Sequence, residues 1–309
     1  MVRVLELFAG IGGCAAAARS LPLTIAVAVE QDATCRAIYG ETFGHPTRPY
    51  NLVGAPASLY ADHADGLWWA SPPCQPFTVK GRQRDVEDPR AEPFLALIEA
   101  VRRHQPAALA VENVPGFVGS RVHRALVCAL DDGGYTWREQ QVCPTELGIP
   151  NRRRRWYLWA RRRGPVGALQ LTRVGRPLET YLDDEPDDGL WLEPEVGRAY
   201  RHALDVVVPE DPGAVAACFG SGYGRVVVRS GSYVGVGGRL RRFSPGEVAR
   251  LLHFDGLCVP PGLRPQQLWA KLGNSLCVPV VGAVLEAVTS WDPDERSATS
   301  TRTSAGSRR

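Results

Sequence analysis

Cys74 stands among prolines in the run Ala70-Ser71-Pro72-Pro73-Cys74-Gln75-Pro76-Phe77-Thr78. Proline fixes φ and removes a backbone donor, so this turn is stiff. It follows the apolar stretch Gly66-Leu67-Trp68-Trp69-Ala70, which has the pattern of a buried strand. A stiff turn at the end of a strand holds a thiol at the rim of a sheet, where it can serve as a nucleophile. A free cysteine is more often a small buried hydrophobe. Cys74 alone does not choose between the two readings.

Phe8-Ala9-Gly10-Ile11-Gly12-Gly13 follows the first strand pattern and opens a helix. Glycines there let the backbone turn tightly and approach a ligand. Glu30, twenty residues after Gly10, closes the second strand pattern. An acid at that place accepts hydrogen bonds from both ribose hydroxyls. The spacing is Gly-x-Gly-Gly, not the Gly-x-Gly-x-x-Gly of dinucleotide sites. It suits a nucleoside cofactor without a pyrophosphate, and S-adenosylmethionine is the candidate. The competing reading is a plain strand-to-helix turn. Glu112-Asn113-Val114 follows the strand Ala107–Val111. A cysteine and a carboxylate brought to one rim suggest a nucleophile and an acid. Alone, Glu112 would read as a capping acid near Val114-Pro115-Gly116.

These groups need a scaffold, and the first 160 or so residues provide its pattern. Strands are expected at Val2–Leu7, Ile25–Val29, Leu67–Ala70, Ala107–Val111, Thr136–Val142 and Trp156–Ala160. Helices are expected between them, at Cys14–Ser20, Ala33–Tyr39, Pro93–His104 and Val122–Leu130. Such alternation predicts an α/β fold, a doubly wound and mostly parallel sheet covered on both faces. Ligands of such sheets bind beyond the carboxyl ends of the strands. Residues 10–13, Glu30, Cys74 and Glu112 all lie at such ends and should meet in one cleft.

From Gly164 the composition shifts to glycine, proline, an acidic patch (Asp183, Asp184, Glu185, Asp187, Asp188) and short β-like runs such as Arg225–Arg229. The expected division is a catalytic and cofactor-binding lobe of residues 1–163 completed by 268–291, with a small irregular recognition lobe of 164–267. Ser244-Pro245-Gly246-Glu247 is a helix start with a capping box. A last apolar helix, Val278–Val288, should pack back on the first lobe. The Ser/Thr/Arg-rich tail, 292–309, has a disordered composition.

Of 36 basic residues all but Lys80 and Lys271 are arginine, and residues 151–163 hold seven arginines and no acid. Arginine grips phosphate with a planar fork, so a nucleic-acid partner fits; a solvated charge run is the plainer alternative. The eight cysteines are scattered, with no Cys-x-x-Cys pair, which argues against zinc and against a secreted disulfide framework. No apolar run approaches the ~20 residues of a membrane helix. A reducing cytoplasm, no membrane, no metal and a monomeric state are the expectations.

In order, Phe-x-Gly-x-Gly-Gly, Pro-Pro-Cys-Gln-Pro-Phe, Glu-Asn-Val, the pair Arg153 and Arg155, and the late Gly273-Asn274-Ser275 resemble the cytosine-5 methyltransferases. Within that family the chain is most similar to the branch that methylates an anticodon-loop cytosine of aspartate tRNA. That likeness rests on Pro76-Phe77-Thr78 with Gly81-Arg82-Gln83 and Asp88-Pro89-Arg90, on 144–151 ending in Asn151, and on Cys218-Phe219 with Gly222-Tyr223-Gly224. The chain departs from it at Gly220, where threonine is expected, and in a short middle lobe.

The resemblance implies a Rossmann-like methyltransferase fold and a mechanism. Cys74 would add to cytosine C6, Glu112 would hold or protonate N3, and Arg153 and Arg155 would favour the Cys74 thiolate. The two arginines alternate along a strand and should share a face, with Arg152 and Arg154 pointing away to phosphates or water. S-adenosylmethionine, leaving as S-adenosylhomocysteine, would contact Phe8, Ala9, Gly10, Ile11, Gly12, Glu30, Pro72, Asn274 and Ser275, with Asn51 and Leu52 edging the adenine. Asn274 could equally cap a helix starting at Leu276. Gln75, Thr78, Arg82, Asn113, Cys218 and Phe219 would face the nucleic acid. tRNA is favoured as substrate. The alternatives are a bacterial-type DNA methyltransferase and a catalytically silent nucleic-acid-binding protein.

Overall fold

The computed structural model describes residues 1–45, 47–77 and 85–290. Thr78, Gly81, Arg82, Gln83 and the tail 292–309 lie outside the described residues.

The first half of the chain builds one large sheet. Its elements are β1 (Val2–Leu7), α1 (Gly13–Ala18), β2 (Leu23–Val29), α2 (Ala33–Phe43), β3 (Thr47–Arg48), α3 (Ala57–Ala61), β4 (Leu67–Ala70), α4 (Glu92–His104), β5 (Ala108–Asn113), α5 (Arg121–Asp132), β6 (Thr136–Val142), β7 (Asn151–Arg152) and β8 (Arg155–Arg161). Seven of these strands are ordered β3-β2-β1-β4-β5-β8-β6. Neighbours are parallel from β3 to β5, while β8 runs antiparallel to both β5 and β6.

Alternation along each strand explains why the sheet is covered on both sides. In β4, Leu67 and Trp69 join the apolar layer on one face and Trp68 and Ala70 the layer on the other. β5 and β8 repeat the pattern, with Ala110, Tyr157 and Trp159 on the first face and Leu109, Val111 and Leu158 on the second. The first layer is closed by α1 and by the last helix of the chain, the second by α4 and α5.

The second half adds α6 (Pro194–Ala199), β9 (Asp205–Val207), β10 (Ala216–Ala217), β11 (Ser232–Val236), β12 (Arg239–Arg242), α7 (Pro245–Leu251), α8 (Pro265–Gly273) and α9 (Val278–Thr289). A three-stranded sheet β12-β11-β9 packs over a third apolar cluster that holds Phe219, Tyr223, Phe243 and Trp269. That cluster also takes in Ile11, Cys35 and Ile38 from the first half. The Ser244–Glu247 capping box starts α7, and the same Glu247 carboxylate is paired with Arg241, both side chains being buried.

The boundaries differ from the sequence expectation. Residues after 164 stay on the large sheet for another turn of chain: Val166 is in its core, Gly167 N–H donates to Ala287 O, and Val174 and Gly175 N–H donate to Leu147 O. At the other end, Leu268, Trp269 and Leu272 of α8 pack in the smaller cluster, so the return to the large sheet begins with α9 rather than at 268. Arg225–Arg229 is turn and bend, not strand. Its three valines have the composition of a strand but no partner edge to pair with.

The 25-residue stretch Pro265–Thr289 contains an 18-residue window of mean hydropathy 1.5, long and apolar enough to cross a membrane by length and composition alone, which the sequence reading did not single out. Here the stretch is two helices, broken between Asn274 and Cys277, and about two thirds of that window is buried inside the protein. It reads as core because each half packs on a different cluster.

Candidate active site

The cleft at the carboxyl ends of β1, β2, β4 and β5 has a volume of about 380 Å³, within the roughly 300–1,000 Å³ usual for small-molecule sites. Phe8, Ala9, Gly10, Ile11, Glu30, Asn51, Leu52, Pro72, Cys74, Gln75, Glu112, Arg153, Arg155, Asn274 and Ser275 all line it. The expected convergence of the glycine turn, Glu30, Cys74 and Glu112 is therefore observed. Strand order explains it, because β1 lies between β2 and β4, and β4 beside β5, so four consecutive carboxyl ends open on one side.

The glycine turn is shaped by left-handed backbone at Phe8, Gly10 and Gly12. Gly12 is not on the cleft surface. A Cβ there would sit 2.2 Å from the Phe43 ring, so this glycine serves close packing of the turn on α2. The Glu30 carboxylate anchors the turn from across the cleft. Its Oε2 accepts from Gly10 N–H at 2.9 Å and its Oε1 from Asp32 N–H at 2.8 Å. Burial raises its pKa and these two N–H groups pull it down; burial prevails.

Asn113 is buried and does not reach the cleft. Its amide donates to Pro72 O at 3.3 Å and so ties the end of β5 to the turn that carries Cys74. Cys74 O in turn accepts from Phe77 N–H at 2.9 Å. Glu112, beside Asn113 on β5, has Oε1 3.3 Å from Arg155 Nε. Burial raises its carboxyl above the usual range, with Arg155 and Arg153 opposing.

The two arginines share a face, as alternation requires, but have different tasks. Arg153 is a brace. Its Nη1 donates to Phe219 O and to Cys218 Sγ, and its Nη2 to Gly273 O and Ser275 O. It joins β8 to the smaller cluster and to the turn after α8. Arg155 faces Glu112. Arg152 and Arg154 point away and pair with Asp205 and Glu146, so acids rather than phosphates meet them.

Arg155 and Arg153 do favour the Cys74 thiolate, as expected, but they do not prevail. Burial, then the Glu112 carboxylate, raise the Cys74 thiol above its ordinary value, and Arg155 and Arg153 only partly offset them. At Cys218 the same arginines prevail over burial, and that thiol is lowered.

Cys218 and Phe219 also differ from expectation, since neither lines the cleft. Phe219 is core, packed edge-on against Tyr223 and Phe243. Gly220 has room for a side chain, its nearest contact being Ser230 O at 3.8 Å, so packing does not explain the departure from threonine. The opposite glycine is constrained. A Cβ on Gly273 would lie 2.4 Å from Gly220 carbonyl carbon, where the two loops touch backbone to backbone. Asn274 ends α8 and does not start α9, whose N-cap is Cys277.

Sequence reasoning assigned no role to Asp32, Tyr50, Arg90 or Lys271, which also line the cleft. Lys271 Nζ donates to Asp32 Oδ2 at 2.6 Å, closing α8 onto the start of α2. Its rarity was the available signal, as one of two lysines in an arginine-rich chain. Arg90 is held by Asp88 through Nε at 2.8 Å and Nη2 at 2.6 Å. Among the described residues no cluster of three or more His, Cys, Asp or Glu side chains could hold a metal ion.

The tRNA (cytosine(38)-C(5))-methyltransferase of Schizosaccharomyces pombe is 29% identical, over 92% of this chain and 96% of its own length. The crystal structure of the S. pombe Dnmt2 methyltransferase superposes with a TM-score of 0.83 at 27% identity, covering 93% of this chain and 98% of that one. The Entamoeba histolytica methyltransferase EhMeth shares the fold, with a TM-score of 0.86 at 24% identity over 93% of this chain and 98% of that one. The family model for C-5 cytosine-specific DNA methylase matches residues 2–173. That is more than half of the sequence, it contains the glycine turn, Glu30, Cys74, Glu112 and both arginines, and the chain belongs to the C-5 cytosine-specific DNA methylase family.

Proposed function

We propose that the chain methylates C5 of a cytosine in tRNA, with S-adenosylmethionine as donor and Cys74 as the attacking atom. One observation carries this reading. Cys74, Glu112 and Arg155 line the same cleft as Gly10 and Glu30, with Arg155 Nε 3.3 Å from Glu112 Oε1. A nucleophile and an acid therefore stand beside a nucleoside-sized pocket.

The residues present fit that cofactor. Gly10 has left-handed backbone, and a Cβ there would meet nothing within 4 Å, so the turn leaves open space for a ligand. Each Glu30 oxygen takes one backbone N–H and keeps a further acceptor site for a ribose hydroxyl. Asn51 and Leu52 would border the base. The turn at Asn274 and Ser275 would border the methionine end. When bound, the cofactor supplies an electrophilic methyl group on a sulfonium.

Cytosine C5 is too electron-poor to take a methyl group unaided. The Cys74 thiolate adds to C6, and the electron pair of the C5–C6 double bond becomes available at C5. Burial favours proton uptake by the Glu112 carboxylate, which then donates to N3 and stabilises the adduct. Arg155 holds Glu112 in place and offsets charge near the reacting ring. C5 would then take the methyl group, the electron pair of the broken bond staying on the donor sulfur; loss of the C5 proton expels Cys74 as the C5–C6 double bond re-forms, and the N3 proton returns to Glu112, leaving 5-methylcytosine and free Cys74. The base must leave its stack to reach Cys74, at a cost of a few kcal/mol that is smaller from a loop than from a duplex.

tRNA is preferred to DNA as substrate because the S. pombe relative named for tRNA is 29% identical over nearly its whole length, against 26% for the Type II methyltransferase M.NlaX of Neisseria lactamica over a similar span. The lobe that would read a DNA sequence is also small, whereas major-groove readout needs a substantial module. The test is transfer of tritiated methyl to total tRNA and to unmethylated DNA, with Cys74→Ala as control. Label in tRNA is expected. Label in DNA alone overturns the tRNA reading, and label in neither overturns the enzyme.

A further inference from the structure

Cys218 is used by no step above, yet two guanidinium groups face its sulfur, which also lies 3.7 Å from Phe219 O. Its Sγ lies 3.3 Å from Arg153 Nη1 and 3.8 Å from Arg155 Nη2. The position is set by backbone pairing. β10 runs parallel to β7 with Ala216 opposite Asn151 and Ala217 opposite Arg152. Asn151 Nδ2 donates to Ala217 O at 2.9 Å and reinforces that register. Continuing it by one residue sets Cys218 against Arg153.

Two thiols thus compete for one pair of cations. At Cys218 burial opposes ionisation, but Arg153 and Arg155 outweigh it and the thiol is lowered. At Cys74 burial and Glu112 prevail and the thiol is raised. Arg155 feels Cys218, Glu112 and Cys74 together. Of the neighbouring charges, Arg152 is paired with Asp205 and Arg154 with Glu146, while Arg161 at the far end of β8 has a buried Nη1 without a hydrogen-bond partner.

We propose that Cys218 is a positioning residue, the thiolate counter-ion of Arg153 and Arg155, which fixes both guanidinium groups and sets how much of their charge reaches Cys74. This rests on the reading of Cys74 as nucleophile. It gives the smaller lobe a direct hold on the reactivity of the thiol.

The test reads thiol chemistry rather than methyl transfer. Iodoacetamide labelling of each cysteine is followed by peptide mass spectrometry across pH in the wild type, Cys218→Ser and Cys218→Ala. Serine keeps a small polar atom without the charge, and it serves as the readable variant should alanine fail to fold. In the wild type Cys218 should label at lower pH than Cys74. In the variants the Cys74 profile should move down by about one pH unit, a roughly tenfold faster labelling at fixed pH below its midpoint. A purely structural role would not move that midpoint. An unchanged Cys74 profile in the folded variants, or Cys74 labelling at lower pH than Cys218 in the wild type, overturns the proposal. Absence of methyl transfer to tRNA with the labelling shifts present would sink the functional reading and leave this one standing.

Discussion

Arg155 Nε lies 3.3 Å from Oε1 of Glu112, and the pairing of β8 with β5 makes the contact. The strands are antiparallel with Glu112 opposite Tyr157 and Asn113 opposite Trp156. Slipping that register by one residue would turn Glu112 and Arg155 to opposite faces. The one antiparallel strand of the large sheet, next to its edge, is thus what delivers a cation to the acid.

Glu112→Gln should separate two effects. Methyl transfer should fall by about 10²–10⁴-fold, the usual scale for loss of a general acid. Labelling of Cys74 by iodoacetamide near neutral pH should become faster, because the Glu112 carboxylate is among the groups that raise the Cys74 thiol. Slower labelling of Cys74 in this variant would contradict that account of the site.

Cys74→Ser should abolish turnover, by about 10³-fold or more, because a hydroxyl is a far weaker nucleophile than a thiolate. Cofactor binding by calorimetry should be little changed, since the glycine turn and Glu30 are untouched. Loss of both together would mean that the Cys74 turn supports the cradle.

Glu30→Ala should weaken cofactor binding by about 1.5–3 kcal/mol, the scale of hydrogen bonds to a charged group. Part of that loss comes from freeing Gly10 N–H, so Glu30→Gln should lose less. Titration calorimetry with S-adenosylhomocysteine reads both variants. Equal affinity in all three proteins would remove Glu30 from the site.

Glu6 makes the pH dependence of stability testable. It is fully buried under α1, where its carboxylate accepts from Tyr39 Oη at 2.8 Å and Ala15 N–H at 3.4 Å. Burial pushes its pKa from 4.5 up to about 7. A carboxyl raised in the folded state binds more protons there than when unfolded, so stability falls as pH rises from about 4.5 to 7 and levels off above. The contribution is about 3 kcal/mol at its full extent. Glu6→Gln should flatten urea-denaturation stability across that window, and an unchanged slope would show that Glu6 does not titrate there.

The buried Arg241–Glu247 pair holds the smaller lobe. Glu247 accepts from Arg241, Ser244 N–H and Asp183 N–H. Glu247→Ala would strand a buried guanidinium and should cost about 3–5 kcal/mol. Replacing both partners with apolar residues should cost much less, which a pair of denaturation curves decides.

Much of this was visible in the amino-acid order. Val2–Leu7, Leu67–Ala70 and Thr136–Val142 are strands with the boundaries read from the sequence, and Ser244 caps the helix it was expected to cap. Short apolar runs between breakers report burial directly, and a capping box is a local device. The cleft residues Gly10, Glu30, Cys74 and Glu112 were legible because parallel strands put their carboxyl ends on one side.

What was not legible is non-local. Arg225–Arg229 looks like a strand, but no edge is there to pair with it. Gly12 reads as a ligand contact until Phe43 is placed behind it. Nothing near Cys218 in sequence announces that Arg153, 65 residues earlier, will meet its sulfur. The sequence by itself determined the family, the sheet and which side chains stand at its carboxyl rim, since those follow from periodicity and short motifs. Only the tertiary structure decided how the arginine charge is shared. Desolvation and the distances among Cys74, Glu112, Arg153, Arg155 and Cys218 arise from four separate stretches of chain, and a field falls off with distance in space, not along the backbone.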